Sequence, residues 1–370
     1  MRVALIHDWL TGMRGGEKVL EALCELFPDA HLFTLFHLPG TTSPTIEDRR
    51  ITTSFVQHLP LARQYYRRYL PLFPWAIERF RLEGYDLVIS SSHCVAKSVI
   101  TPAGVPHLCY CHSPMRYAWD QFDAYFGPAR VGAVASRWVY RPMLTRLARW
   151  DARTADRPSR FVSNSQYVAG RIARYYNRWS TIVYPPVDTV FYHPASASRA
   201  SHFLVVSALV PYKRIDLAVD ACQRVGVPLR IVGDGPDRRR LEAASGRSVT
   251  FLGRLTDEQI RSEYQSALAV LLPGEEDFGI VPVEAQACGT PVVALAAGGA
   301  LETVVDGETG ALFHEGTAAA MAAALQRVMA VPLDRDRMRE RAERFSRERH
   351  VAGMRTVIDE VMAAPAGTKW

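Results

Sequence analysis

The chain has 370 residues, more than one ordinary hydrophobic core accommodates, so its length predicts two domains. Its 48% hydrophobic and 22% charged residues are typical of a globular protein, and no stretch approaches the roughly 20 uninterrupted apolar residues of a membrane-spanning helix. The net charge of +6 is uneven: residues 1–190 hold 23 Lys and Arg against 15 Asp and Glu, which suggests a partner such as anionic lipid, nucleic acid or a phosphorylated substrate.

Cysteine usage and the N-terminus indicate the compartment. The six cysteines are scattered and form no disulfide framework, and the apolar run of the opening "MRVALIHDWL" is too short for a signal sequence. We therefore expect a reduced, cytoplasmic setting. The chain has no zinc-finger, helix-turn-helix or aromatic-rich RNA-binding signature, so we expect no nucleic-acid partner.

Short apolar runs alternate with helical patterns in the first half. Such strands, followed by helices, are typical of parallel sheets that are covered on both faces. In chain order the segments are the strand "RVALIH" (2–7), the helix "GEKVLEALCELF" (16–27), and the strands "YDLVISSS" (85–92), "PHLCYCHSP" (106–114) and "RFVSNS" (160–165).

The second half repeats the scheme after a proline-containing linker, "VYPPVDTVFYHPASASRAS" (183–201), and it ends in one or two amphipathic helices within 337–362. Two such arrays predict two doubly wound α/β domains. The strands are "HFLVVSAL" (202–209), "PLRIVGDGP" (228–236), "SVTFLGR" (248–254), "LAVLLPG" (268–274), "TPVVALAAGG" (290–299) and "TGALFHEG" (309–316), and the helices are "RIDLAVDACQRV" (214–225) and "TDEQIRSEYQSA" (256–267).

Candidate ligand-binding residues follow several strands. Doubly wound sheets bind ligands at the carboxyl ends of their strands. Gly15 and Gly16 precede a predicted helix start, Lys213 and Arg214 stand at a strand-to-helix junction, and Gly233 follows another strand. None of these turns matches a dinucleotide-binding or P-loop fingerprint, which disfavours a nicotinamide enzyme or an ATPase.

Two glutamates, Glu276 and Glu284, flank an apolar run in "GEEDFGIVPVEAQACGTPVVA" (274–294). A pair of carboxylates serves acid/base catalysis, a metal site or hydrogen bonding to a polyhydroxylated ligand. A solvated, salt-bridged pair is a poor fit to so apolar a segment. The residues alone leave the three functional alternatives open.

Cys109, Cys111 and His112 raise the question of a metal cluster. Alternate strand residues place both cysteines on one face and His112 on the other, so we expect buried strand cysteines instead. His112 alone is compatible with a hydrogen-bonded core histidine, and Asp8 with either a loop cap or a functional residue.

The motifs taken together resemble the retaining, nucleotide-sugar-dependent glycosyltransferases of family 4, which include bacterial mannosyltransferases. The most specific match is a Glu-x-Phe-Gly-x-x-x-x-Glu pattern formed by Glu276, Phe278, Gly279 and Glu284. Supporting matches are the early glycine loop, "CHSPMRYAWD" (111–120), "SNSQYVAGRI" (163–172), "YPPVD" (184–188) and "PYKR" (211–214). One departure is Ala208, where many members carry an arginine.

The resemblance implies a GT-B fold, with two doubly wound Rossmann-like domains facing a central cleft. It implies an acceptor-binding domain at 1–190, a nucleotide-sugar-binding domain at 191–345, and a C-terminal helix at 346–370 that can cross back to the first domain. The implied reaction transfers a hexose, mannose from GDP-mannose, to a lipid-linked or oligosaccharide acceptor in bacterial polysaccharide biosynthesis. A UDP-sugar or GDP-deoxyhexose donor, or a non-catalytic sugar-nucleotide-binding protein, are the alternatives.

The resemblance also implies roles in donor binding. Glu284 would bind the ribose hydroxyls, because a carboxylate accepts two hydrogen bonds from a vicinal diol. Backbone N–H groups of Phe278, Gly279 and Ile280 would reach sugar hydroxyls or phosphate. Gly233 would belong to the same donor site.

Three residues would act in catalysis. Lys213, with Arg214, would neutralise the leaving diphosphate in place of a metal ion. Glu276 and His112 would contact the transferred sugar. Gly15 and Gly16 would offer helix N-terminal amides to the phosphates or shape the acceptor side.

We expect neither a metal ion nor a cofactor, and the mechanism implied is front-face attack assisted by the leaving phosphate. Metal-dependent transferases use an Asp-x-Asp element to hold a cation on the diphosphate. The "DRD" of this chain, Asp334–Asp336, lies in a polar, arginine-rich stretch far from the predicted strand ends.

Two basic and aromatic segments, His58–Leu82 and Ser136–Trp150, are the candidates for a membrane contact. In the first, Arg63, Arg67 and Arg68 alternate with tyrosines, a composition that suits an anionic lipid surface. This predicts a peripheral position at the inner face of the cytoplasmic membrane. The alternative is a helical subdomain packed on the sheet, with its arginines in water.

Overall fold

Two parallel sheets organise the chain. The computed structural model describes residues 1–195, 201–331 and 333–370. They form two units: an N-terminal unit of Met1–Pro186 with His350–Trp370, and a C-terminal unit of Val187–Arg349. The boundaries therefore fall after Pro186 and Arg349, where the sequence suggested 190 and 345. Residues 196–200 of the predicted linker lie outside the described residues.

In the part of the N-terminal unit that the structure describes, seven parallel strands have the order β3-β2-β1-β4-β5-β6-β7. The switch in strand order lies between β1 and β4, which is where doubly wound sheets bind ligands. The strands are β1 (Val3–His7), β2 (His31–Thr34), β3 (Arg50–Thr53), β4 (Leu87–Ser92), β5 (His107–Cys111), β6 (Arg160–Ser163) and β7 (Ser180–Ile182).

In the C-terminal unit, six parallel strands among the described residues have the order β10-β9-β8-β11-β12-β13, with the switch between β8 and β11. All six strands were predicted from their apolar runs, and the two doubly wound domains are confirmed. The strands are β8 (Phe203–Val206), β9 (Leu229–Val232), β10 (Val249–Gly253), β11 (Ala269–Leu272), β12 (Val292–Leu295) and β13 (Gly310–Phe313).

Helices cover both sheets. The helices before the C-terminal unit are α1 (Gly15–Leu26), α2 (Pro44–Glu47), α3 (Ala62–Tyr65), α4 (Phe73–Ile77), α5 (Arg116–Trp119), α6 (Phe122–Phe126), α7 (Pro128–Val131), α8 (Ala133–Ala135), α9 (Arg141–Arg153) and α10 (Gln166–Tyr176). Those that follow are α11 (Ile215–Val225), α12 (Arg238–Ala244), α13 (Asp257–Ser266), α14 (Ile280–Ala287), α15 (Ala300–Thr303), α16 (Ala318–Ala330), α17 (Arg335–Glu343) and α18 (Arg347–Ala363). Short 3₁₀ helices cover Phe55–His58, Tyr66–Leu72, Ala96–Ser98, Thr154–Asp156 and Pro211–Lys213, and a π-helical turn covers Ser136–Tyr140.

The first strand shows why the run Val3–Ile6 is apolar throughout. Ala4 and Ile6 pack into one buried cluster, whereas Val3 and Leu5 pack into another, because successive strand residues point to opposite faces. The second cluster also takes residues of α1 and of α18, among them Met354. Each fully buried side chain of this kind contributes about 1.5–3 kcal/mol, which explains why the C-terminal helix packs with the N-terminal unit.

The segment His58–Leu82 forms short helices that pack on the N-terminal unit. Tyr66 and Phe73 belong to its core, whereas Arg63, Arg67 and Arg68 are exposed. The packed subdomain is therefore present, and its outer surface is basic. Within 1–195, 201–331 and 333–370 the structure contains no helix long and apolar enough to cross a membrane.

Candidate functional site

The start of α1 lies beside His112 in the N-terminal unit. After β1 the chain turns and enters α1 at Gly15. A Cβ on Gly16 would lie 3.6 Å from His112 Nε2 and 3.7 Å from His7 Cε1. The structure thus brings together Gly16 and His112, two residues that the sequence singled out separately.

His112 belongs to a cluster of histidines at the carboxyl ends of β1, β4 and β5. Its Nε2 lies 2.8 Å from Ser91 Oγ, and the same hydroxyl lies 3.1 Å from His7 Nδ1. The ring of His93 lies 6.3 Å from that of His112. Burial, together with the nearby His93, His7 and His350, holds the pKa of His112 well below its usual range, so this imidazole is neutral at pH 7.

Asp8 has a structural role in this region. Its buried carboxylate accepts hydrogen bonds from four successive backbone N–H groups, those of residues 93–96, at 2.7–2.9 Å. One carboxylate thereby caps the turn after β4 and fixes the backbone of His93. Of the two roles that the sequence left open, loop capping is the one with direct contacts.

Cys109 and Cys111 are buried thiols in a cluster with Phe161 and Val168, as predicted for strand cysteines. The described ranges contain no group of three or more His, Cys, Asp or Glu side chains arranged to hold a metal ion. Asp334 of the "DRD" stretch caps α17 by accepting a hydrogen bond from Asp336 N at 2.9 Å.

Glu284 lies on α14 of the C-terminal unit and is only 6% exposed. Its Oε2 accepts a hydrogen bond from the Tyr264 hydroxyl at 2.9 Å, and the Tyr192 hydroxyl also bonds to the carboxylate. Burial raises the pKa of both tyrosines, so both stay protonated as donors. A carboxylate offers about four lone-pair sites, so Glu284 is fixed in place and retains acceptor capacity.

Lys213 and Glu276 form an ion pair at the switch point of the second sheet. The 3₁₀ helix after β8 ends at Lys213, and Glu276 follows β11. Gly274 permits the approach, because a Cβ there would lie 2.7 Å from Tyr212 O and 2.9 Å from Lys213 Cα. Each side chain of the pair is 16% exposed. A cation and a carboxylate are therefore already oriented together.

The loop after β12 supports the stretch that carries Glu276 and Phe278. Gly299 N donates to Glu276 O at 2.9 Å, and a Cβ on Gly299 would lie 2.3 Å from Phe278 Cα. Gly279 has φ +83° and leads into α14 at Ile280. Only glycine fits the close approach at 299, and glycine is favoured at 279.

Arg214 and Gly233 have other contacts. The Arg214 guanidinium lies 3.4 Å from both carboxylate oxygens of Asp216. Gly233 N donates to Gly253 O at 2.7 Å, and a Cβ at Gly233 would lie 1.9 Å from Ser207 O. Close backbone packing is thus a sufficient reason for glycine at 233, and its N–H is already engaged.

Three residues that lie in or beside the histidine cluster were not singled out from the sequence: His7, Glu17 and Ser91. A signal was present, since polar residues at the end of otherwise apolar strands are unusual. His7 is the last residue of "VALIH", and Ser91 is the second of the three serines that end "LVISSS".

Two family models cover most of the chain. The model for Glycosyltransferase Family 4 matches residues 13–191, and that for Glycosyl transferases group 1 matches residues 193–345. The chain belongs to glycosyltransferase family 4.

Curated relatives of this family 4 chain match it over part of its length. The D-inositol 3-phosphate glycosyltransferase of Mycobacteroides abscessus is 34% identical over 188 residues, which cover 44% of this chain and 42% of that protein. The one from Acidothermus cellulolyticus is 30% identical over 215 residues, covering 49% and 48%. The matched region therefore spans less than half the length of these relatives.

Solved structures resemble this family 4 chain over nearly its whole length. HepE from Anabaena, crystallised with UDP, superposes with a TM-score of 0.69 at 17% identity, covering 97% of this chain and all of that one. Sucrose-phosphate synthase from Thermosynechococcus elongatus gives 0.70 at 20% identity, covering 98% and 100%. The predicted GT-B fold is confirmed.

Proposed function

We propose that the chain is a retaining glycosyltransferase that moves a hexose from a nucleotide sugar to a lipid-linked saccharide. The observation that carries the proposal is the Lys213–Glu276 pair at the switch point, with the buried carboxylate of Glu284 on the helix that follows Glu276. A cation for a diphosphate and carboxylates for hydroxyls are what a nucleotide-sugar donor requires.

Donor binding would use this preformed arrangement. The ammonium of Lys213 has three N–H donors, so it can contact a diphosphate while it remains bonded to Glu276. Glu276 would then accept hydrogen bonds from the transferred sugar, and Glu284 from the ribose diol. Gly279 and Ile280 would contribute N–H groups at the start of α14.

The chemical step would be a front-face displacement. The acceptor hydroxyl attacks the anomeric carbon on the face that the leaving phosphate departs from, and its proton passes to a phosphate oxygen. The bond from the anomeric carbon to the phosphate oxygen breaks as the new glycosidic bond forms, so the configuration is retained. Lys213 stabilises the charge that develops on the diphosphate. No metal ion is required in this scheme.

The donor sugar is proposed as mannose from GDP-mannose, on the family resemblance of the sequence motifs. The crystal structures of HepE contain UDP, which makes a UDP-sugar the alternative to include in any test. The curated relatives are named for D-inositol 3-phosphate, which adds a phosphorylated cyclitol to the acceptors that a test should include.

The basic surface of the N-terminal unit supports a membrane-bound acceptor and a cytoplasmic, peripheral location. The Arg68 guanidinium lies 4.1 Å from the ring centre of the exposed Tyr65, and that of Arg79 lies 3.9 Å from the exposed Trp75. Trp138, in the second segment, is 69% exposed. Exposed aromatic rings combined with arginines suit an anionic headgroup layer.

A thermal-shift panel of GDP-, UDP- and dTDP-sugars tests the proposal. A ligand present at 100 times its Kd stabilises the native state by about 2.7 kcal/mol. We expect one nucleotide class to raise the melting temperature and the other two to leave it within error. If none of the sugar nucleotides raises it at millimolar concentration, the proposed function is wrong.

A further inference from the structure

Four side chains of the N-terminal unit form a chain of contacts that ends at His112. Glu17 Oε1 lies 3.7 Å from His7 Nε2, His7 Nδ1 lies 3.1 Å from Ser91 Oγ, and Ser91 Oγ lies 2.8 Å from His112 Nε2. The first three residues are buried, at 4%, 0% and 0% exposure, whereas His112 is partly exposed. His7 and Ser91 are direct register partners of β1 and β4, so the sheet itself holds the middle of the chain.

The single hydroxyl proton of Ser91 gives this chain a direction. Ser91 bonds to two imidazoles, and with one proton and two lone pairs it can donate to only one of them; if it donates to one, it accepts from the other. His7 decides which. Its Nε2 faces the buried carboxylate of Glu17, and a ring lone pair in that position would be repelled, whereas an N–H is attracted. The proton of His7 is therefore on Nε2, and its Nδ1 accepts the proton of Ser91.

The charge state of Glu17 supports this order. Burial raises the pKa of Glu17, but the facing imidazole of His7, together with the nearby His93, holds it below its usual range, so Glu17 is a carboxylate that attracts an N–H. At 3.7 Å the contact between Glu17 Oε1 and His7 Nε2 is longer than a hydrogen bond, so Glu17 orients the proton of His7 by electrostatic attraction.

We propose that Glu17 is a positioning residue that, through His7 and Ser91, holds His112 in the tautomer protonated on Nε2. The other ring nitrogen of His112, Nδ1, is then a hydrogen-bond acceptor. Phosphate oxygens at neutral pH accept hydrogen bonds and offer no proton, so they are unsuitable partners for Nδ1. A hydroxyl group is suitable, and on the proposed function this group is a hydroxyl of the transferred or the accepting sugar.

The wild-type protein provides the first test. Long-range ¹H–¹⁵N correlation spectra of the full chain, labelled with ¹⁵N-histidine, distinguish the two neutral tautomers, and a His112→Asn spectrum assigns the signals of His112. We expect His112 and His7 to carry their protons on Nε2. A His112 proton on Nδ1 would overturn the proposal without any further variant.

Variants of Glu17 provide the second test. Glu17→Gln keeps the shape but presents either an oxygen or an NH₂ group to His7, so we expect His112 to become a mixture of tautomers. We expect kcat/KM for transfer to fall about 10- to 100-fold, as for the partners that orient histidine ligands in metal sites. Glu17→Asp keeps the carboxylate and should retain the Nε2 tautomer.

A matched control is Glu25→Gln, the same charge change at an exposed position of α1, which should alter neither the tautomer nor the rate. If Glu17→Gln does not fold, Ser91→Ala removes only one hydroxyl and breaks the same chain. A His112 signal that remains wholly Nε2–H in the folded variant overturns the proposal. Because the spectra require no turnover, failure of the proposed function would appear separately, as no transfer by the wild type from any donor.

Discussion

Replacing Lys213 with alanine should lower kcat by about 10²–10³ and change the donor Kd by less than about tenfold. The diphosphate gains charge as the sugar leaves, so the ammonium is worth more in the transition state than in the ground state. A factor of 10²–10³ corresponds to about 2.7–4 kcal/mol, the usual effect of one preorganised donor. The geometric basis is the ion pair with Glu276, which already holds the ammonium at the switch point.

The same substitution should also reduce stability, and the structure gives the scale. Each side chain of the Lys213–Glu276 pair is 16% exposed, so the pair is neither fully exposed nor fully buried. An exposed pair contributes about 0.2–1 kcal/mol, and breaking a buried pair costs about 3–5 kcal/mol. We therefore expect a loss of about 1–3 kcal/mol, or about 2–4 °C in Tm per kcal/mol for a unit of this size. The double variant Lys213→Ala/Glu276→Gln removes the stranded carboxylate and should regain most of this Tm loss.

Nucleoside diphosphate release and isothermal titration with the donor would measure both effects. The matched control is Arg224→Ala, which removes an exposed cation from α11 and should leave both kcat and Kd unchanged. An unchanged kcat in Lys213→Ala would refute the leaving-group role. Recovery of kcat together with Tm in the double variant would also refute it, because the effect on rate would then be structural.

Four further predictions concern other parts of the molecule. Glu284→Ala should weaken nucleoside diphosphate binding about 10- to 100-fold, the value of one or two hydrogen bonds to a charged group, and an unchanged Kd in calorimetry would contradict the ribose contact. EDTA should leave transfer intact; activity that EDTA abolishes and Mg²⁺ or Mn²⁺ restores would show a metal requirement. Replacing Arg63, Arg67 and Arg68 together with serine should weaken binding to anionic vesicles by up to about 3 kcal/mol, roughly a hundredfold. Added salt should weaken the binding of the wild type in the same way. Equal flotation of both proteins at low salt would rule out this surface. Burial lowers the pKa of His107 to about 3, below its unfolded value of 6.5. The free energy of unfolding should therefore have its full value above pH 6.5 and fall by on the order of 4 kcal/mol towards pH 3. The same pH dependence in urea unfolding of His107→Asn would contradict this.

The sequence predicted strands where burial on both faces makes them apolar throughout. Strands β1, β8, β11 and β12 are of this kind, whereas β10 was predicted from its apolar run although it is only partly buried. Three strands were not predicted: Arg50–Thr53 lies at an edge and is partly exposed, Ser180–Ile182 has only three residues, and the buried His31–Thr34 is a short run with a polar residue at each end. Helix α10 was also missed, although Ser165 caps it by accepting a hydrogen bond from Val168 N at 3.0 Å.

The sequence singled out several residues of the candidate site, but it could not show which of them lie in contact. Lys213 and Glu276 meet because β8 lies next to β11, and His7 and Ser91 meet because β1 lies next to β4 in register. Strand order and register depend on the packing of the whole sheet, so no local pattern reveals them. A local pattern also does not show whether glycine serves a ligand or close packing, and for that reason Gly233 was assigned to donor binding without regard to its packing against Ser207.

Turnover of a sugar nucleotide by the purified chain tests the central claim most directly. Nucleoside diphosphate release would be measured with GDP-mannose, UDP-glucose and a dTDP-sugar, with and without a lipid-linked saccharide. We predict release from one nucleotide class, stimulated by the acceptor and reduced at least about a hundredfold in Lys213→Ala. Tight binding of a sugar nucleotide with no release from it, even with acceptor present, would contradict the account and show a non-catalytic sugar-nucleotide-binding protein.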